Sequence, residues 1–257
     1  IYQIIITIIL LLSPLIIFFR ILKNKEDKVR FKEKLCFFSK KRGAGKLIWF
    51  HGASVGEILS IIPIVHEYEK KKSIDRILIT SNTLSSSKVL DKYKLKKTIH
   101  QFFPIDHYFL ISKFLKYWRP HIAIFVDSEI WPGMSTALKN KKIPLILINA
   151  RITKKSFKKW LKLRAFAKSI FNKITVAYPQ NKETKKYLKE LKVNNIKDVG
   201  NLKIIENTQD KQDNIGNKLN IQFKKYKTWV AASTHDGEEI FCAKAHIELK
   251  KKNKNLI

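Results

Sequence analysis

Residues 47–57 read Leu-Ile-Trp-Phe-His-Gly-Ala-Ser-Val-Gly-Glu, and this stretch sets how the chain on either side of it is read. Leu47 to Phe50 is an apolar run with the aromatic content of a buried strand. Gly52 and Gly56 then bracket Ala53, Ser54 and Val55, so the backbone can turn sharply and present its N–H groups. Beyond Glu57 the residues Ile58, Leu59, Ile61, Ile62, Ile64 and Val65 set a helical period. The pattern is strand, tight turn, helix. A helix start behind a strand offers unpaired N–H groups and a positive dipole end, which suits a phosphate or carboxylate ligand. No Gly-Lys-Ser/Thr follows, so this is not a Walker loop, and the glycines do not complete GxGxxG. Glu57 in the first turn has two readings: a charge that complements the helix dipole, or a carboxylate presented for chemistry.

Working outward, apolar strand-like runs alternate with helical patterns from residue 47 onward. This predicts an α/β fold with a parallel sheet covered by helices on both faces. Strands are predicted at 47–50, 76–80, 100–103, 122–126, 144–148, 174–177 and 196–199, with helices near 58–71, 84–93, 108–118, 131–141, 156–171 and 182–191. Pro63 falls inside the first of these helices and predicts a kink or a shifted start. The unusual residues gather at one kind of place. His51 to Glu57, Thr80 to Thr83, Asp127-Ser128-Glu129, Asn149-Ala150-Arg151 and Gly200-Asn201-Leu202-Lys203 each follow a predicted strand. In an open parallel sheet those loops share the carboxyl edge, where ligands bind.

The ends of the chain read differently. Residues 1–19 are almost wholly apolar, close to the ~20 residues a helix needs to cross a bilayer. The basic residues Arg20, Lys23, Lys25, Lys28 and Arg30 follow at once, which by the positive-inside rule places the remainder in the cytoplasm. A membrane anchor over 1–22 is therefore expected, single-pass, in a cell inner membrane; no small-residue cleavage pattern follows Phe19. Residues 207–227 are polar and weakly periodic, a linker. Trp229-Val230-Ala231-Ala232 then predicts the first strand of a second unit, and Ser233-Thr234-His235-Asp236-Gly237-Glu238 its turn and helix start. With no initiating Met and a last strand-like Asn255-Leu256-Ile257, the 257 residues read as a piece of a longer protein.

The formal net charge is +31, from 52 Lys and Arg against 21 Asp and Glu, which implies anionic partners. The basic residues are spread through helical patterns, with no zinc-finger, RRM or KH signature, so an anionic membrane surface fits better than nucleic acid, and a lysine bias without functional content is a third reading compatible with it. Two cysteines, Cys36 and Cys242, are too few for a disulfide framework and lack metal-ligand spacing.

Five motifs together carry a resemblance. His51-Gly52-Ala53-Ser54-Val55-Gly56-Glu57, Asp127-Ser128-Glu129-Ile130-Trp131-Pro132, Asn149-Ala150-Arg151 with Ser156 and Trp160, Gly200-Asn201-Leu202-Lys203, and Ala231-Ala232-Ser233-Thr234-His235 with Gly237-Glu238-Glu239 resemble, in order, the motifs of the bacterial 3-deoxy-D-manno-octulosonic acid (Kdo) transferases of lipid A assembly. Arg30-Phe31-Lys32-Glu33-Lys34-Leu35 resembles the segment that follows the anchor in that family, with Cys36 in place of its glycine. The resemblance implies a GT-B glycosyltransferase of two Rossmann-like domains, an acceptor domain over 23–206 and the start of a truncated nucleotide-sugar domain over 228–257.

It further implies inverting transfer of Kdo from CMP-Kdo to a lipid A precursor, lipid IVA, on the cytoplasmic side of the membrane. Glu57 is then the general base, Glu129 a carboxylate supporting the transition state, and Lys203 the charge that receives the phosphate leaving group. His51, Gly52, Ser54, Gly56, Asn149 and Arg151 become substrate-binding candidates in the first domain; Ser233, Thr234, His235 and Glu238 become those of the second. No metal or other cofactor is expected. Two rival readings are a membrane-anchored GT-B transferase using another nucleotide sugar and a membrane-tethered nucleic-acid-binding protein; the second accounts for the charge but not for the strand-end motifs.

Overall fold

The computed structural model describes residues 2–199 and 225–256. The chain divides into two units, Ile1–Thr208 and Gln209–Ile257. In the first, six strands form one parallel sheet: β1 (Leu47–His51), β2 (Arg76–Ser81), β3 (Thr98–Phe102), β4 (Ile122–Val126), β5 (Leu145–Ala150) and β6 (Val176–Pro179). Their order across the sheet is β3-β2-β1-β4-β5-β6. Helices fill the connections: α2 (Val55–Lys70), α3 (Leu84–Leu90), α4 (Tyr108–Trp118), α5 (Pro132–Asn140), α6 (Lys154–Lys162), α7 (Arg164–Phe171) and α8 (Lys182–Glu190). An apolar helix, α1 (Tyr2–Leu22), precedes them all.

The sheet is covered on both faces, which is why its strands read as continuous apolar runs rather than alternating ones. Successive side chains of β1 point to opposite sides. Leu47 and Trp49 join a core with Phe114, Trp118 and Phe125, whereas Ile48 and Phe50 join Ile58, Ile61, Ile77 and Ile79. α2 starts at Val55, earlier than the apolar period suggested, and runs unbroken through Pro63 to Lys70.

A 3₁₀ helix, Arg30–Leu35, is clamped onto β3. The buried Glu33 carboxylate accepts from Arg30 Nε (2.8 Å) and Nη2 (3.1 Å) and from the Phe102 backbone N–H (2.9 Å). Arg30 Nη2 also reaches His100 Nδ1 (2.9 Å), and because a guanidinium only donates, that nitrogen must accept. The other ring nitrogen then gives its proton to Ser81 Oγ (2.9 Å). Burial, and next the Arg30 charge, hold the His100 pKa down to about 3. Cys36 closes this segment in a left-handed conformation (φ 60°), so the turn that glycine makes in the family pattern is kept, at a cost of about 1–2 kcal/mol.

Three expectations are corrected. The strand at 196–199 is a single parallel bridge, Ala177 to Ile196, beside β6. The helix expected over 156–171 is two, α6 and α7, broken at Leu163. The sequence holds no Gly or Pro there; the break brings Trp160 edge-on to Phe171 at 5.2 Å, a packing gain no local pattern announces. In the second unit residues 228–232 form no strand, because a strand exists only through ladder partners and the pairing is one bridge, Lys227 to Leu256. The predicted helix start is present: α9 (Glu238–Lys252) begins after Gly237, whose φ is 86°. Lys203 and most of the linker lie outside the described residues.

Candidate active site

The sheet order places a topological switch point between β1 and β4. The chain runs outward through β2 and β3, then returns to lay β4 on the free side of β1. The crevice at the carboxyl ends of two such strands is where ligands bind in open α/β sheets. Glu57 follows β1 and Glu129 follows β4, so the two carboxylates flank that crevice.

The β1–α2 turn is built around Glu57. Its Oε2 accepts the Ala53 backbone N–H at 2.6 Å and its Oε1 the Ser54 hydroxyl at 3.0 Å. Ser54 Oγ in return accepts the Glu57 N–H at 3.4 Å and so caps α2. Gly52 fits closely here: a Cβ on it would stand 3.0 Å from Glu57 Cβ, so glycine lets the carboxylate fold back over the turn without displacement. Gly56 has a different role, since a Cβ there would meet nothing within 4 Å. It leaves open space at the helix start. Burial raises the Glu57 pKa, the charge of Glu129 raises it further, and the Ala53 and Ser54 donors oppose both. Both readings of Glu57 thus hold together: it caps α2, and it is a half-buried carboxylate whose proton affinity is raised toward the range useful to a base.

Glu129 is held in the opposite sense. His51 Nε2 reaches Glu129 Oε2 at 3.1 Å and the Trp131 indole N–H donates to the same oxygen at 2.8 Å. Burial would raise this carboxyl, but the His51 and Trp131 contacts outweigh it and hold the pKa below the usual value. His51 is itself fully buried and stacked on Phe103 at 3.9 Å. Thr80 Oγ1 accepts the Trp49 indole N–H (2.8 Å), and His51 Nδ1 lies 2.9 Å from the same oxygen and 3.1 Å from Thr80 O. The ring thus bridges Thr80 on one side and Glu129 on the other. His51 is enclosed by these partners, behind Glu129.

The β4 and β5 loops are laced together. Asp127 (φ 59°) and Asn149 (φ 48°) both turn the chain in the left-handed region at a strand end, where Asp and Asn are tolerated best. The Asp127 N–H donates to Ile148 O (3.0 Å) and the Arg151 N–H to Asp127 O (3.2 Å). Asn149 is buried, whereas Arg151 is exposed at the same edge. His51, Gly52, Ser54, Gly56, Glu57, Glu129, Asn149 and Arg151 are therefore gathered at the ends of β1, β4 and β5. Ser233, Thr234, His235 and Glu238 belong to the second unit. There the Thr234 hydroxyl donates to Glu239 Oε1 (3.0 Å) and the His235 N–H to Glu238 Oε2 (2.8 Å), which orders the start of α9.

Three residues of the site had not been singled out. Thr80 and Trp131 stood inside quoted stretches without a role, since a hydroxyl or indole that orients another side chain has no signature of its own. Asp106 is the third. Buried after β3, it accepts the N–H groups of Gly133 (2.8 Å) and Met134 (2.7 Å) and so fixes the start of α5, directly behind Glu129. A Cβ on Gly133 would stand 2.8 Å from Asp106 O. An acidic residue just past a strand was the available signal. Among the described residues no group of three or more His, Cys, Asp and Glu side chains is arranged to hold a metal ion.

Residues 29–205 match the family model described as 3-deoxy-D-manno-octulosonic-acid transferase (kdotransferase). A 3-deoxy-D-manno-octulosonic acid transferase of Rickettsia bellii is 34% identical over 224 residues, 87% of this chain and 53% of the relative. The transferase of Haemophilus influenzae is 28% identical over 82% of this chain and 50% of its own length. The chain thus spans about half the length of these curated relatives. Among solved structures, a UDP-GlcNAc 2-epimerase from Neisseria meningitidis bound to UDP-GlcNAc aligns with a TM-score of 0.54 at 16% identity, over 83% of this chain and 64% of that one. A putative UDP-N-acetylglucosamine 2-epimerase from Listeria monocytogenes aligns with a TM-score of 0.59 at 13% identity, over 83% and 61%. These likenesses show the GT-B-like fold.

Proposed function

The chain belongs to the 3-deoxy-D-manno-octulosonic-acid transferase family, and from that premise we propose that it forms the acceptor half of an inverting glycosyltransferase that moves Kdo from CMP-Kdo to a lipid A precursor, lipid IVA. The observation that carries the reading is the pair of carboxylates at the switch point, one raised in pKa and one lowered. Environments that push two carboxyls apart divide acid–base work between them.

In this mechanism Glu57 takes the proton of the acceptor hydroxyl as its oxygen bonds to the anomeric carbon of Kdo. The bond from that carbon to the CMP phosphate oxygen breaks on the opposite face, so the anomeric configuration inverts. Glu129, kept ionised by His51 and Trp131, lends negative charge to the sugar ring as it becomes cationic. Arg151 is placed to hold an anionic group of either substrate in a two-point contact. Lys203 and the start of α9, with Ser233, Thr234, His235 and Glu238, are assigned to the departing nucleotide. α1 keeps the domain on the cytoplasmic face of an inner membrane, where an anionic surface meets the basic chain.

The test is transfer by the full-length protein, with CMP-Kdo offered beside UDP-linked and CMP-linked sugars and lipid IVA as acceptor. Selective use of CMP-Kdo, with an inverted anomeric centre by NMR, is the expected outcome. Preference for another donor, or retention of configuration, overturns the reading.

A further inference from the structure

α1 is long and apolar enough to cross a bilayer, with no charged residue before Arg20. Its 21 residues extend about 31 Å, roughly the hydrocarbon thickness of a membrane. If it crossed, its first and last turns would lie on opposite sides. The contacts of α1 instead hold both turns against the same domain. At its start the Tyr2 hydroxyl donates to Asp106 Oδ2 at 2.6 Å, the same buried carboxylate that fixes the start of α5. The Tyr2 ring also meets Phe166 of α7 at 6.1 Å. At its end Arg20 Nε pairs with Glu26 at 2.9 Å, and Glu26 with Lys34 at 2.6 Å. Both ends are fastened to one domain.

Between the ends the burial repeats at helical spacing. Tyr2, Ile6, Leu10, Ser13, Ile17 and Arg20 are covered or half-covered, three or four residues apart, a stripe along the whole helix, with Gln3 and Ile21 half-covered beside its two ends. The opposite stripe, Ile4, Ile8, Leu11, Leu15, Phe18 and Leu22, is 52–75% exposed and wholly apolar. A face of this size is not left in water. On the domain side of α1 a groove of about 960 Å³ lies between α1, α4, α5 and α7, lined by Tyr2 and Ile5 and by the exposed Tyr108 and Leu163. Exposed cations stand at both ends, Lys23, Lys25 and Lys28 after α1, and Lys159, Lys162 and Arg164 around Leu163.

We propose that α1 lies in the plane of an anionic lipid surface with its length against the domain, and does not cross the bilayer. The domain supplies the face that a lone interfacial helix would make polar, so a very apolar helix can lie flat. The free stripe enters the acyl region of one leaflet, and the cations at either end meet lipid phosphates. The inference rests on the reading of α1 as a membrane anchor and changes its geometry. It sets the strand-end site on the same side as both ends of the helix.

The test places single cysteines at Ile4, Leu11 and Phe18, which share the free stripe, in a Cys242→Ser background. Cys36 is buried and its thiol is pushed up to about 12, so it stays unlabelled. Each site carries a bimane fluorophore in vesicles of phosphatidylethanolamine and phosphatidylglycerol, with spin labels on acyl carbon 5 or carbon 12. An in-plane helix gives the same quenching at all three sites, at least twofold stronger from carbon 5. Stronger quenching of Leu11 by carbon 12, with Ile4 and Phe18 shallow, is the profile of a crossing helix and overturns the proposal. Absence of quenching at every site overturns it too, and takes the anchor reading with it.

Discussion

Glu57 and Glu129 occupy equivalent places on adjacent strands and behave in opposite ways. β1 and β4 pair in parallel with His51 beside Phe125, and each strand leads through a short loop into a helix start. Both glutamates are half-buried. Glu57 meets a backbone N–H, a hydroxyl and the field of Glu129, and its pKa is raised; Glu129 meets an imidazole and an indole, and its pKa is lowered. Residue type and topology are the same, so partner chemistry decides which carboxyl keeps a proton longer. In both, burial is the largest single cause and acts in the same direction. The hydrogen bonds reverse it in one and not in the other.

The comparison breaks most visibly at Glu57. Glu57→Gln in the full-length protein keeps the shape and loses the proton acceptor, so turnover should fall roughly 10²- to 10⁴-fold with donor binding intact. If Glu57 only caps α2, the same change alters stability by about 0.3–1 kcal/mol and leaves turnover near normal. Turnover and melting temperature measured together decide between these. Glu129→Gln comes next, with an expected loss of about 10² in turnover, the scale of one missing electrostatic stabiliser. It carries a second signature. Removing the Glu129 charge lowers the Glu57 pKa, so the acid limb of the kcat/KM profile must move to lower pH; an unmoved limb separates the two groups.

Trp131→Phe tests the other side of the comparison. It keeps an aromatic ring and removes one donor to Glu129, at a cost of about 1–2 kcal/mol, discounted because the carboxylate is partly exposed. The folded pKa of Glu129 lies below its unfolded value. Its stabilisation is therefore present above the unfolded pKa and is lost as pH falls through the folded one. The gap between native and variant should be full at pH 7 and narrow on acidification below about 4.5, the ordinary range of a glutamate. A gap independent of pH in urea unfolding assigns the indole to packing alone. The smallest effect is that of Ser54→Ala, about 1 kcal/mol for a lost cap. Because the Ser54 hydroxyl opposes the rise at Glu57, its removal should shift the acid limb upward, opposite to Glu129→Gln.

Legibility in the sequence followed the range of the interaction. The six sheet strands between residues 47 and 179 and most of their helices could be read because each is a local apolar period, and the loops bearing Glu57, Glu129, Asn149 and Arg151 because each adjoins such a period. The break at Leu163 could not be read, since it answers to the meeting of Trp160 and Phe171 rather than to any residue that disfavours a helix. The strand order was equally silent: a switch point between β1 and β4 exists only once β4 has chosen a side of β1.

By itself the sequence determined the parallel α/β class, the edge at which the chemistry-bearing side chains gather, and which residue types stand there, because these follow from periods of two and 3.6 residues and from loop position. The tertiary structure alone decided that Glu129 is held ionised by His51 and Trp131, that Asp106 ties α1 to the start of α5, and that α1 has both ends on one domain. Each of these joins groups from separate elements. A carboxyl's proton affinity and a helix's direction across or along a surface are set by neighbours that only folding supplies.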